Sequence, residues 1–350
     1  MTVAAAGVQL GKTDMTISSV GFGAWAIAGN NWAFGWGPQD DHDSIAAIHA
    51  AVNAGVNWID TAAVYGLGHS EEVVGRALAA LPEADRPLVF TKCGLVWDED
   101  DRAAPPRKIM RPASVRRELE ASLRRLGVET IDLYQVHWPG DGGAVGLGVP
   151  GDADATDGTP LEEYWELMAE LKAEGKVHAI GLSNHDCQQL ETAEAVAHVD
   201  ALQPPFSALQ REAAPEVAWC HAHGTAVIAY SPMQSGLLTG SIDADRVRSL
   251  PASDWRSSHP DFTTELERNL EVTGALARVA ERHRVSTAAA AVAWVLAWPG
   301  ITGAIVGARK PDQIAGWITA TSLELSDEDL DDVASALVRT GAGEGPVRPG

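Results

Sequence analysis

Two textures alternate along this chain. Short apolar runs, each stopped by a polar residue or a glycine, are followed by longer stretches with apolar positions at helical spacing. The runs fall at residues 20–24, 57–60, 88–92, 131–137, 177–182, 201–203, 226–230 and 303–306 and read as strands. Helices are predicted at 44–54, 70–78, 114–126, 161–174, 186–197, 215–223, 266–283, 286–297, 311–318 and 327–338. Ser70 is the expected cap of the second helix, with Glu71 and Glu72 in its first turn, where the helix dipole favours negative charge.

Strands that alternate with helices imply a parallel sheet, and eight such units favour closure into a (β/α)8 TIM barrel over an open sheet. Around it stand an N-terminal hairpin with its turn at Gly11-Lys12-Thr13-Asp14, long loops after strands one, four and seven, and an extra C-terminal helix. The whole chain, 1–350, is read as a single domain, with roughly 340–350 a flexible tail. Gly21-x-Gly23-x-x-Ala26 matches a dinucleotide fingerprint nominally. A long loop from Gly29 to Pro38 follows it, where the fingerprint needs a helix, so the match is rejected.

Composition narrows the function. The 26 basic and 48 acidic residues give a net charge of −22, which disfavours nucleic acid and anionic membranes as partners. No apolar stretch is long enough to insert into a bilayer. Cys93, Cys187 and Cys220 are odd in number and lack metal-ligand spacing, so they read as reduced thiols of a cytoplasmic protein. Asp152-x-Asp154-x-x-Asp157-Gly158 lacks the alternation and terminal Glu of a calcium loop, and no metal is expected.

Chemistry gathers where the strands end. Asp60 closes the second strand, Lys92 the third and His137 the fourth, with Tyr65 five residues beyond Asp60. In a parallel barrel these C-terminal ends share one rim. An ammonium beside a phenol favours the phenolate and lowers its pKa, and a carboxylate fixes that ammonium in place. Asp60, Lys92 and Tyr65 supply such a relay, and His137 a second donor able to orient a substrate oxygen. The set suits protonation of a carbonyl oxygen while its carbon receives a hydride, which a cofactor must supply. Each residue alone reads equally as structural: an ion pair, a loop aromatic, a strand-end histidine.

The runs Asn57-Trp58-Ile59-Asp60-Thr61-Ala62-Ala63-Val64-Tyr65-Gly66, Phe90-Thr91-Lys92, Leu133-Tyr134-Gln135-Val136-His137 and Gly181-Leu182-Ser183-Asn184 together resemble the aldo-keto reductase family, in order and at family-like intervals over nearly the whole chain. The resemblance implies a barrel binding NADPH without a Rossmann domain, and a small-molecule aldehyde or ketone as substrate. It makes Tyr65 the general acid, tuned by Lys92 and Asp60, and His137 the residue that orients the carbonyl.

The same resemblance assigns cofactor contacts. Ser183, Asn184 and Gln203 match the groups on the nicotinamide carboxamide, and Tyr230 the aromatic on its ring. Gly23, Ala24, Trp25 and Asp60 fall beside the cofactor at the first two strand ends. Ser231, Pro232, Met233, Ser235, Gly236 and Leu237 look like the loop over the pyrophosphate. Gly307, Ala308, Arg309 and Gln313 look like the adenosine grip, with Arg309 on a 2′-phosphate and NADPH therefore preferred over NADH. Many family members carry Arg where Gln313 stands and Glu-Asn where Gly316-Trp317 stand.

Trp25, Trp97 and Trp138 are the expected substrate wall; Trp32 and Trp36 divide evenly between wall and loop packing. Two other classes compete: a cofactor-binding regulatory subunit with little turnover, disfavoured by the intact Asp60, Tyr65, Lys92 and His137 set, and a metal-dependent barrel hydrolase, disfavoured because strands one, five, six and seven do not end in ligands.

Overall fold

Each apolar run becomes a strand in the computed structural model, which describes residues 7–30, 32–145, 158–251 and 254–350. The strands are β1 (Val20–Gly23), β2 (Trp58–Asp60), β3 (Leu88–Cys93), β4 (Ile131–Val136), β5 (Val177–Ser183), β6 (Ala201–Gln203), β7 (Ala226–Ala229) and β8 (Gly303–Gly307). Each pairs in parallel with the next, and β8 pairs with β1 to close the barrel. Helices α1 (Asp41–Asn53), α2 (His69–Ala79), α3 (Pro112–Leu126), α4 (Leu161–Ala173), α5 (Cys187–Val196) and α6 (Ala214–His223) follow the first six strands. After β7 come 3-10 turns, the short α7 (Ala244–Arg248), and then α8 (Leu266–His283) and α9 (Thr287–Leu296), which return the chain to β8. The last helix, α10 (Asp327–Thr340), packs on α8. No helix among the described residues is long and apolar enough to cross a membrane.

Strand periodicity sorts the barrel interior into two layers. Side chains two apart share a face, so Trp58 and Asp60, Phe90 and Lys92, Leu133 and Gln135, and Ala201 and Gln203 each point inward in pairs. The first member of each pair belongs to an apolar cluster with Ile228 and Ile305, plugged from below by Leu10 and Ile17 of the N-terminal hairpin. Trp58 fills this floor because its neighbour is Gly21: a Cβ there would lie 2.3 Å from the indole. The second members form a polar layer above it, and Lys92 stands in register with Gln135.

Four local expectations are corrected. Ser70 does not cap α2, whose N-cap is Gly68; its hydroxyl donates to the Ala24 carbonyl at 2.9 Å and pairs with the Thr61 hydroxyl, tying the ends of β1 and β2 together. Residues 93–110, which the sequence reads as a plain polar loop, contain a hairpin of two short strands, Leu95–Val96 with Arg107–Lys108. The predicted helix at 311–318 is a pair of 3-10 turns.

The glycine-rich C-terminal segment is packed where a flexible tail was expected. Buried Arg211 donates through Nε to the Pro346 carbonyl at 2.8 Å and through a terminal nitrogen to that of Ala342 at 3.2 Å. A Cβ at Gly343 would lie 2.2 Å from the Leu209 carbonyl oxygen. The glycine there permits close approach rather than freedom. The Asp152–Asp157 fragment lies outside the described residues.

Candidate active site

The polar layer converges on Asp60. Its Oδ1 accepts from Lys92 Nζ at 2.6 Å, and its Oδ2 accepts from Gln203 Nε2 at 2.8 Å and Gln135 Nε2 at 3.4 Å. Lys92 also donates to the Thr61 carbonyl at 3.0 Å and toward the Tyr65 hydroxyl at 3.5 Å. Its amine lies 5.1 Å from the Tyr65 ring centre. Tyr65 meets the His137 ring edge-on at 5.7 Å and stacks beside Trp25 at 6.2 Å. The acid, lysine, tyrosine and histidine that end separate stretches of sequence are thus brought together.

Burial dominates the electrostatics here. It pushes the Tyr65 phenol well above its ordinary range, and the Asp60 and Tyr230 charges push it the same way. The sequence argument that Lys92 lowers this pKa is outweighed here. With Asp60 at 2.6 Å the ammonium is already matched, so desolvation outweighs its field at the phenol. Lys92 is itself lowered by burial, with Asp60 opposing. Burial and then the Lys92 charge hold His137 well below the usual histidine range, so its ring is neutral. Tyr65 therefore keeps its proton across neutral pH, and the imidazole offers a donor without a charge.

Above the layer opens a cavity of about 490 Å³. Its base is lined by Asp60, Tyr65, His137, Ser183, Asn184 and Gln203, and one side by Tyr230, Ser231, Pro232, Met233, Ser235 and Gly236. Asn184 sits in the left-handed region at φ 61°. Its amide donates to the His137 carbonyl at 2.9 Å, and its Oδ1 accepts from the Tyr230 hydroxyl at 2.8 Å. Non-glycine residues Ser231, Gln234 and Ser235 also hold positive φ, strain concentrated against the cavity.

Gly23, Gly307, Ala308, Arg309 and Gln313 line the cavity as well, whereas Ala24 and Leu237 are fully buried and do not. Among the tryptophans, Trp25, Trp32, Trp36 and Trp138 line it. Trp97 does not; it packs against the small cluster of Ala62, Leu95 and Val145.

Sequence reasoning missed three participants. Gln135 reads as one polar residue inside an apolar strand, yet it braces Asp60. Arg246 and Arg256, from the irregular segment after β7, join Arg309 on the cavity wall. Asp60 is the one acid among the lining residues, so this chain of net charge −22 presents a cationic cleft. Three guanidiniums at one part of the cleft and Ser, Asn and Gln amide or hydroxyl groups at the base fit a dinucleotide: phosphates for the first, a carboxamide for the second. Among the described residues, no group of three or more His, Cys, Asp or Glu is placed to hold a metal ion.

A closed parallel barrel with a polar cluster and a cationic cleft where its strands end has the layout of a barrel enzyme's active site. The sequence model of the Aldo/keto reductase family matches residues 19–338, and the chain belongs to that family. It is 33% identical to the aldo-keto reductase YhdN of Bacillus subtilis (strain 168), over 95% of this chain and 93% of that protein. It is 34% identical to the NADH-specific methylglyoxal reductase of Escherichia coli (strain K12), over 95% of this chain and 99% of that one. Among solved structures, the glycerol dehydrogenase of Gluconobacter oxydans superposes with a TM-score of 0.84 at 36% identity, covering 98% of both chains.

Proposed function

We propose that this protein reduces a small aldehyde or ketone to the alcohol, reversibly, using a nicotinamide dinucleotide. The observation that carries the reading is the convergence of Asp60, Lys92, Tyr65 and His137 at the base of one cleft. When bound, the nicotinamide supplies hydride to the carbonyl carbon. Tyr65 gives its phenolic proton to the carbonyl oxygen. Lys92, 3.5 Å away, donates toward the same phenol oxygen and stabilises the charge that grows there. Asp60 positions Lys92, and Gln203 and Gln135 hold the other carboxylate oxygen, so the amine cannot turn away. Neutral His137 donates an N–H to the substrate oxygen and orients it.

Ser183, Asn184 and Gln203 are the groups that would hold the carboxamide, with Tyr230 on the ring and residues 231–236 over the pyrophosphate. Gln203 has both its donors directed at Asp60 and Gln135, which leaves its Oε1 as the acceptor for an amide N–H. NADPH is the form we propose, on the strength of the arginine-lined wall; the relative named NADH-specific makes the choice one to measure. The names of the relatives, methylglyoxal reductase and glycerol dehydrogenase, support a small oxygenated substrate for this chain, with Trp25 and Trp138 as its proposed apolar wall.

The test is cofactor consumption with a panel of small aldehydes and ketones, followed at 340 nm. Turnover that requires both carbonyl and reduced cofactor is expected. A chain that binds cofactor and turns over none of the panel would favour the regulatory-subunit reading instead.

A further inference from the structure

The three arginines on the cavity wall are in three different states. Arg256 is paired with Asp254, Nε to Oδ1 at 3.0 Å and a terminal nitrogen to Oδ2 at 2.7 Å, and lies 5.4 Å from the Trp36 ring centre. Arg309 has no carboxylate partner among the described residues. Its Nε donates to Gln39 Oε1 at 2.7 Å, one terminal nitrogen to the Trp36 carbonyl at 3.2 Å and the other to the Pro38 carbonyl. Gln39 returns the contact, its Nε2 donating to the Arg309 carbonyl at 2.9 Å. Arg246, exposed on α7, has no side-chain hydrogen bond or ion pair to any described residue.

We propose that two tasks are divided between these side chains: Arg309 latches the Trp36–Gln39 segment across the cleft, and Arg246 reads the cofactor's 2′-phosphate. This rests on the dinucleotide reading above. It departs from the sequence expectation, which gives the phosphate to Arg309. All three nitrogens of that guanidinium donate to one loop, and the side-on fork formed by Nε–H is closed by Gln39. A phosphate that captured Arg309 would strip the bonds from Gln39 and two carbonyls, and would release the loop at the moment the cofactor needs cover. Redirecting Arg246 breaks nothing. The latched loop matters to the site because Trp36 meets Trp25 edge-on at 5.3 Å, and Trp25 stacks beside Tyr65.

The full-length chain and its Arg309→Ala, Gln39→Ala and Arg246→Ala variants answer this by two measurements. The first is the Kd for NADPH and for NADH, from quenching of tryptophan fluorescence. The second is the rate of chymotrypsin cleavage at Trp32, Phe34 and Trp36 without cofactor. Arg309→Ala and Gln39→Ala should weaken both cofactors by a similar factor, about fivefold to tenfold, and speed cleavage. Arg246→Ala should weaken NADPH by about tenfold and leave NADH and cleavage at the wild-type values. Loss of NADPH binding alone in Arg309→Ala, with unchanged cleavage, would overturn the division, as would an Arg246→Ala variant that binds NADPH normally. Wild-type protein that binds neither cofactor would remove the dinucleotide reading and the Arg246 assignment with it, while the cleavage rates would still decide the latch.

Discussion

The base of the cleft and its arginine-lined wall solve opposite problems. At the base, Asp60 and Lys92 are nearly inaccessible, and both oxygens of the carboxylate are matched by fixed donors. At the wall, the charges are partly or fully exposed and their partners are loop carbonyls, a surface-side aspartate or nothing. A proton transferred within a reaction must meet groups that are already oriented. A cofactor that enters and leaves must meet groups that can exchange partners. The difference predicts that substitutions at Asp60 and Lys92 change stability and chemistry together, whereas those at the wall change binding.

The largest expected effect tests the buried pair. Lys92→Met leaves the Asp60 carboxylate buried without its cation and should lower stability by about 3–5 kcal/mol, read by urea unfolding. Replacing both partners, Asp60→Leu with Lys92→Met, should recover much of that stability while turnover stays lost. A double variant no more stable than the single one would break the comparison at its base.

Next comes Glu118 of α3, which supports the turn after β3 by accepting from the Gly94 N–H at 2.9 Å. Burial raises its carboxyl from 4.5 to about 7. The folded protein therefore holds a proton there that the unfolded chain releases near pH 4.5. Its contribution to stability falls as pH rises through the window from 4.5 to about 7 and is level above it. That gap corresponds to about 3 kcal/mol. Glu118→Gln should add stability of that order at pH 8, and little at pH 4.5, in urea unfolding at the two pH values. Equal effects at both would show that the carboxyl is not held protonated.

The smallest effects concern the mouth of the cavity. Trp138→Ala should raise the KM for the carbonyl about fivefold, on the order of 1 kcal/mol, with the cofactor KM unchanged. Trp97→Ala, behind the cavity, should leave the carbonyl KM within about twofold. The reverse ranking would return Trp97 to the substrate wall.

Much of this is legible in the sequence. Strands stopped by Asp60, Lys92 and His137 announce a functional rim because a buried strand rarely ends in a charge without a partner. Part of the layer beneath was implicit too, since Trp58 and Phe90 precede Asp60 and Lys92 by the strand period, as Leu133 precedes Gln135. What escaped were contacts made across the chain. Ser70 before two glutamates has every local mark of a cap, yet its hydroxyl serves the Ala24 carbonyl. Arg309 carries the right chemistry for a phosphate, but its guanidinium is claimed by Gln39, 270 residues earlier. Gly343 and Gly345 have the composition of a tail and the conformation of a tight junction against Arg211. Local pattern reports what a residue can do; tertiary packing decides which of those capacities remains free.

The central claim is that Tyr65 delivers the proton and takes no part in holding the cofactor. Tyr65→Phe tests it in one sample, by cofactor Kd from fluorescence quenching and by single-turnover oxidation of the bound cofactor on adding aldehyde. Cofactor Kd within about twofold of wild type, with the oxidation rate lower by about 10²- to 10⁴-fold, is the predicted result. An unchanged rate would contradict the account, because the proton would then come from somewhere other than Tyr65.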